Sequence, residues 1–211
     1  MEALRDDKRY TYEDYYSWDD GKRYELIDGV VRLMSPAPRA RHQDISGEIY
    51  LQLRLFLKGK RCKVYHAPFD VRLNADGADD TVVQPDITVV CDRSKIDKRG
   101  LRGVPDMIVE VLSPGCMGEQ RVSATSPSTA KHDAITKFNK YLEAGVLEYW
   151  IVDPERNTVK VCLRKDGDYV IKTYDETDDA PVSVLPGCVI RLAEVFEDDE
   201  TYIFDDERSG D

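Results

Sequence analysis

The stretch "VPDMIVEVLSP", residues 104 to 114, decides how the chain is read. Its apolar residues run almost without a break, the mark of a strand covered on both faces. Into that run it sets Glu110. An ionised carboxylate in a dry interior is costly unless it is paired, sits at a strand end or coordinates something. Glu110 therefore either faces solvent on an edge strand or belongs to a site.

The preceding apolar run, "QPDITVVC" (84–91), opens on a second acid, Asp86, behind a proline that fixes an extended entry. Two neighbouring strands that each bring a carboxylate to one place make a seat for Mg²⁺, which takes one or two carboxylates, waters and a substrate phosphate. A cation is available on the next helix, about Thr129 to Glu143. There Asp133, Lys137 and Tyr141 recur at i, i+4 and i+8 along one side. Lys137 sits at the flank of the apolar arc formed by Ile135, Phe138 and Leu142 and can snorkel toward the strands, whereas Lys140 points to solvent. An intrahelical Asp133–Lys137 ion pair without chemistry is the plainer alternative.

The rest of the chain frames these runs. Thr11 caps a short helix over "YEDYYSW". "RYELIDGVVRLMS" alternates around Asp28-Gly29, a strong hairpin signal. Helical spacing of Ile45, Ile49, Leu53, Phe56 and Leu57 predicts a long helix from about Arg41 to Lys58, stopped by Gly59. "CKVYHAPFDVRL" (62–73) reads as one strand, "EYWIVDP" (148–154) as a buried one, and "TVKVCLRKDGDYVIKTY" as a hairpin turning near Asp166-Gly167. The order is helix, three strands, helix, strand, with a hairpin at each end, an α/β (α+β) pattern. One domain is expected over residues 1–196, with 114–125 looped out as an insertion and 197–211 as an acidic tail.

Of the 211 residues, 34 % are charged and 41 % hydrophobic, with 12 Tyr and 2 Trp for packing, a globular composition. No apolar run is long enough to span a membrane, and the charged start lacks an h-region, so the expected compartment is the cytoplasm. The 5 cysteines are scattered, without a CxxC pair, and are expected to be reduced thiols. A net charge of −11 opposes an overall electrostatic grip on nucleic acid. Any such contact must come from local patches such as "KGKRCK" (58–63) or "RSKIDKRGLR" (93–102). No Gly-rich phosphate loop, GxSxG or Cys–His motif suggests another enzyme class.

Taken together, "RYELIDG" (23–29), "RHQDI" (41–45), "QPDITVV" (84–90), "GVPDMIVEVLSP" (103–114) and "DAITKFNKYLEAGVLEYWIVDP" (133–154) resemble the Uma2 family, or DUF820, endonucleases of the PD-(D/E)xK restriction-endonuclease-like superfamily. The resemblance runs from about Thr11 to Phe196. It implies a restriction-endonuclease-like core, a mixed central β-sheet flanked by helices in αβββαβ order with added N- and C-terminal hairpins. Asp86 matches the first acid and Glu110 the second, and both are the expected Mg²⁺ or Mn²⁺ ligands. The superfamily lysine would fall at Leu112; in Uma2-like sequences it matches Lys137 instead. Glu25 matches a further acid of the motif, approaching the metal or held in a structural ion pair. His42 matches the histidine that opens the long helix, where a helix-start hydrogen bond competes with a role in catalysis.

The expected activity is metal-dependent hydrolysis of phosphodiester bonds in DNA, with Asp86, Glu110, Lys137 and Glu25 as site residues and a homodimer as a possible assembly. The alternative is a catalytically inactive binding or regulatory protein on the same fold, which the acidic balance favours.

Overall fold

The computed structural model describes residues 8–34, 38–75, 77–113 and 129–197, the side chains of 129–134 excepted. The expected insertion at 114–125, the acidic tail beyond Glu197 and the Asp133 partner of Lys137 lie outside these residues. Among them a short helix α1 (Tyr12–Tyr16) leads into strands β1 (Tyr24–Ile27) and β2 (Val30–Leu33) and then the long helix α2 (Ala40–Phe56). Next come β3 (Lys63–His66), β4 (Val71–Arg72), β5 (Val82–Val83), β6 (Ile87–Val90), β7 (Ile96–Asp97), β8 (Gly100–Arg102) and β9 (Met107–Val111). Helix α3 (Thr129–Ala144) is followed by β10 (Glu148–Asp153), β11 (Thr158–Lys165), β12 (Asp168–Asp175), β13 (Asp179–Val182), β14 (Cys188–Arg191) and a short α4 (Leu192–Val195).

The architecture is the mixed α/β one expected. A six-stranded sheet in the order β12-β11-β10-β9-β6-β3 forms the centre. It is antiparallel except for the β9–β10 pair, which is parallel because α3 carries the chain back across the sheet between them. Period-two alternation assigns the faces of its strands. Met107, Val109 and Val111 of β9, with Ile87 and Val89 of β6 and Trp150 and Val152 of β10, join Ile45, Ile49, Leu53 and Leu57 of α2 in one core. Ile108 and Tyr149 face the other way and pack with Phe138, Tyr141 and Leu142 of α3. Ile45, Ile49 and Leu53 are fully buried, worth about 1.5–3 kcal/mol each. β9 is interior to the sheet, so Glu110 does not stand on an edge strand.

A second sheet, β2-β1-β5-β4-β8-β7, was not legible as such in the sequence. Its β1–β2 hairpin turns at Asp28-Gly29 with both residues at positive φ, 53° and 72°, as the Asp-Gly pair dictates. The run 62–73, read as one strand, is two: β3 pairs with β6 in the central sheet, and β4 beyond Pro68 pairs with β5 and β8 in the second. Ile135 also departs from expectation, being exposed, so that the buried side of α3 is Phe138, Tyr141 and Leu142. The expectation of reduced thiols fails for two cysteines. Lys63 pairs with Val90, and one further step in that register sets Cys62 against Cys91, which are disulfide-bonded with Cα atoms 3.9 Å apart. A sequence separation of 29 hid that pairing. No helix among the described residues is long and apolar enough to cross a membrane.

Candidate active site

The register that aligns β6 with β9 also builds the site. Ile87 pairs with Val109 and Thr88 with Ile108, so one step further sets Asp86 against Glu110. Asp86 is tied to the end of β9 by the Val111 N–H, which donates to its Oδ2 at 2.8 Å. Glu110 alternates with Val109 and Val111 and so points toward α3. There Tyr141 Oη donates to Glu110 Oε1 at 2.7 Å, and Lys137 Nζ lies 3.3 Å from the same oxygen.

Lys137 also lies 2.9 Å from Oε1 of Glu25, the buried acid of β1. Glu25 is fixed in turn by the Gln84 backbone N–H, which donates to the same oxygen at 3.0 Å. Three sequence-predicted residues, Glu25, Glu110 and Lys137, are therefore in direct contact, and Asp86 adjoins them. Leu112, where the superfamily lysine would fall, is buried apolar surface. Lys140, as expected, turns outward, pairing with Asp28 and Glu143.

His42, in the first turn of α2, makes no helix-start hydrogen bond among the described residues; its Nε2 lies 3.3 Å from Asp86 Oδ2. Burial opposes the charged imidazole, but the Asp86 hydrogen bond outweighs it and raises His42 above its ordinary range. Burial likewise pushes Glu110 up to about 7; Lys137 pulls the other way, and Asp86 and Glu25 add to the rise. For Lys137 burial alone would favour the neutral amine, yet Glu110 and Glu25 hold the ammonium above the usual lysine range. Tyr141 is raised by burial and by Glu110, so it remains a hydrogen-bond donor.

Together these groups line a cleft of about 480 Å³ whose walls include Arg23 and Arg32 of the β1–β2 region, Gln43 of α2 and His66 at the end of β3. Sequence reading missed Gln84, Arg23 and His66, and it noted Tyr141 only for its place on the helix. The spacing of Tyr141 four residues beyond Lys137 was the available signal for it.

Three carboxylates meet one permanent cation here, a surplus of negative charge that a divalent ion would relieve. Among the described residues every bond to Asp86, Glu110 and Glu25 falls on one oxygen, leaving Asp86 Oδ1 and Glu110 Oε2 uncommitted. No group of three or more His, Cys, Asp or Glu side chains stands ready to hold a metal among those residues. That donor set fits Mg²⁺ or Mn²⁺ completed by water and substrate, and does not fit a closed structural ion.

Comparison with known proteins bears on the family and the fold. The model of the Uma2 family, described as "Putative restriction endonuclease", matches residues 12–193. The "Uncharacterized protein slr1290" of Synechocystis sp. is 25 % identical over 172 residues, covering 79 % of this chain and 80 % of its own. A crystal structure from Anabaena variabilis, described as a "putative nuclease belonging to DUF820", superposes with a TM-score of 0.64 at 18 % identity, over 88 % of this chain and 97 % of that one. At that identity the likeness establishes a shared fold. With the family model spanning nearly the whole fold, the chain belongs to the Uma2 family.

Proposed function

We propose that the protein is a divalent-metal-dependent endonuclease that hydrolyses phosphodiester bonds in DNA. The observation that carries this reading is Lys137, which bridges Glu25 and Glu110 from a helix and so supplies beside the second acid the cation that position 112 lacks. Asp86 and Glu110 would hold Mg²⁺ or Mn²⁺. When bound, the ion would polarise the scissile phosphate and lower the pKa of a coordinated water.

The chain's own groups do the rest. Two of the three Lys137 N–H donors are taken by Glu25 and Glu110, and the third is left for the attacking water or a non-bridging phosphate oxygen, where the ammonium offsets charge growing in the transition state. Glu25 and Tyr141 fix where Lys137 and Glu110 sit. The Val111 N–H and His42 fix Asp86 by one oxygen. Cutting both strands at once would need two such sites, which a homodimer would supply.

Plasmid cleavage with Mg²⁺ or Mn²⁺ tests the proposal. Lys137→Met and Asp86→Ala should each slow cleavage by about 10²–10³. If the purified protein cuts neither DNA nor RNA with any metal, or Asp86→Ala cuts as well as wild type, the proposal fails. Absence of Mn²⁺ uptake dependent on Asp86 and Glu110 in calorimetry would favour the inactive binding protein.

A further inference from the structure

The cleft has a cation that the proposed chemistry does not use. Arg23, exposed just before β1, lines the same cleft as Glu25, Asp86, Glu110 and Lys137. Its guanidinium is anchored on one side only: Nε and Nη2 donate to Gln84 Oε1 at 3.2 and 2.7 Å. Three of its five N–H donors have no partner among the described residues.

Gln84 cannot turn its amide around. Its Nε2 donates to Asp70 Oδ1 at 2.8 Å and to Tyr15 Oη at 3.0 Å, and a carboxylate accepts only from the NH₂ end. The carbonyl end is thereby committed to Arg23. Asp70 is itself held by Tyr12 and Tyr15. Meanwhile the Gln84 backbone N–H donates to Glu25. One residue, next to the Pro85-Asp86 step, thus orients both a site acid and a free guanidinium.

From this we infer that Arg23 is a substrate-binding residue, a fork that holds a backbone phosphate of the bound nucleic acid next to the one being cut, with Gln84 as its positioning residue. The inference rests on the nuclease reading of the same cleft. It also meets the difficulty of the net charge of −11. The charge of Lys137 is already matched by two acids and one N–H donor is left to it, so an approaching polyanion finds in Arg23 a cation with donors to spare. A guanidinium suits this place better than an ammonium because its planar donors match two phosphate oxygens at once.

The test reads binding apart from cleavage. A short fluorescein-labelled DNA oligonucleotide is titrated, by anisotropy, against Asp86→Asn protein with and without Arg23→Ala, over a series of salt concentrations. Loss of the guanidinium should weaken binding by about tenfold at low salt and make log Kd depend less steeply on log salt by about 1. Arg23→Lys should restore the salt slope and recover only part of the affinity. In the otherwise wild-type enzyme, Arg23→Ala and, less strongly, Gln84→Leu should raise KM more than they lower kcat, a split that a merely structural role would not give. Equal Kd and equal salt slope with and without Arg23 would overturn the inference while leaving the nuclease reading intact. Arg23-dependent binding by a protein that never cleaves would keep the Arg23 phosphate contact, overturn its place beside a cut phosphate and sink the nuclease reading.

Discussion

Glu110 carries the most information of any side chain here. Its folded-state proton affinity is raised from 4.5 to about 7 by burial, with Asp86 and Glu25 adding to the rise. An acid that holds its proton more tightly in the native protein favours folding fully below pH 4.5, and that advantage is lost as pH climbs toward about 7. His42, also raised, gives stability that is present below 6.5 and lost as pH rises through its folded-state value. Melting curves in metal-free buffer should therefore show wild type losing Tm between pH 4.5 and 7 relative to Glu110→Gln. Parallel profiles would mean that Glu110 titrates normally. Because a metal ligand must be deprotonated, Mn²⁺ affinity should rise with pH up to about 7 and then level, a profile that calorimetry reads directly. Both acids were legible because each is a lone charge in an apolar strand, and Lys137 because helical geometry places it at the flank of a buried face. The Tyr141 bond to Glu110 and the two-sided grip of Gln84 join residues 31 and 14 to 69 positions apart, and no local pattern announces them.

Among the elements, the two long helices and the strands of the central sheet were readable from apolar periodicity, and the hairpins from their Asp-Gly turns. The second sheet was not, because four of its members, β4, β5, β7 and β8, are only two or three residues long, too short to show alternation. They cohere through backbone approach at Gly100. That residue sits at φ +134°, and a Cβ there would lie 2.3 Å from the Asp70 carbonyl oxygen, beside the Leu101 N–H that donates to the same oxygen at 2.8 Å. Gly100→Ala should cost more than about 2 kcal/mol in urea unfolding, since strain and clash add at a position that cannot shift alone. It should also loosen Asp70 and so the Gln84 anchor; an unchanged midpoint would show that the β4–β8 contact yields easily. Glu148 makes a parallel case in the central sheet. It is fully buried and its carboxylate accepts from the Trp150 indole N–H at 2.7 Å and the Val184 N–H at 2.9 Å. Burial raises its pKa, and Glu148→Ala would strand both donors, at about 1–3 kcal/mol for each buried group left unsatisfied. In the sequence it is the first residue of the buried run "EYWIVDP".

The molecule as a whole sets an acidic body, with a net charge of −11, around a cleft that already holds three carboxylates. If that cleft takes DNA, the polyanion and the acids repel each other unless a cation stands between them. Metal and DNA must then bind cooperatively, and linkage makes the effect reciprocal: whatever factor Mn²⁺ adds to DNA affinity, DNA adds to Mn²⁺ affinity. Lys137→Met is the variant in which to measure it, because slow cleavage preserves the oligonucleotide and loss of the ammonium leaves Glu25 and Glu110 in greater need of a counter-ion. Anisotropy titrations with and without Mn²⁺, and calorimetric Mn²⁺ titrations with and without oligonucleotide, should return the same coupling factor, on the order of 5–150-fold. Adding Asp86→Asn and Glu110→Gln should bring both factors to one. DNA affinity indifferent to metal, with Mn²⁺ still bound, would place the two ligands apart and remove the metal from the proposed chemistry.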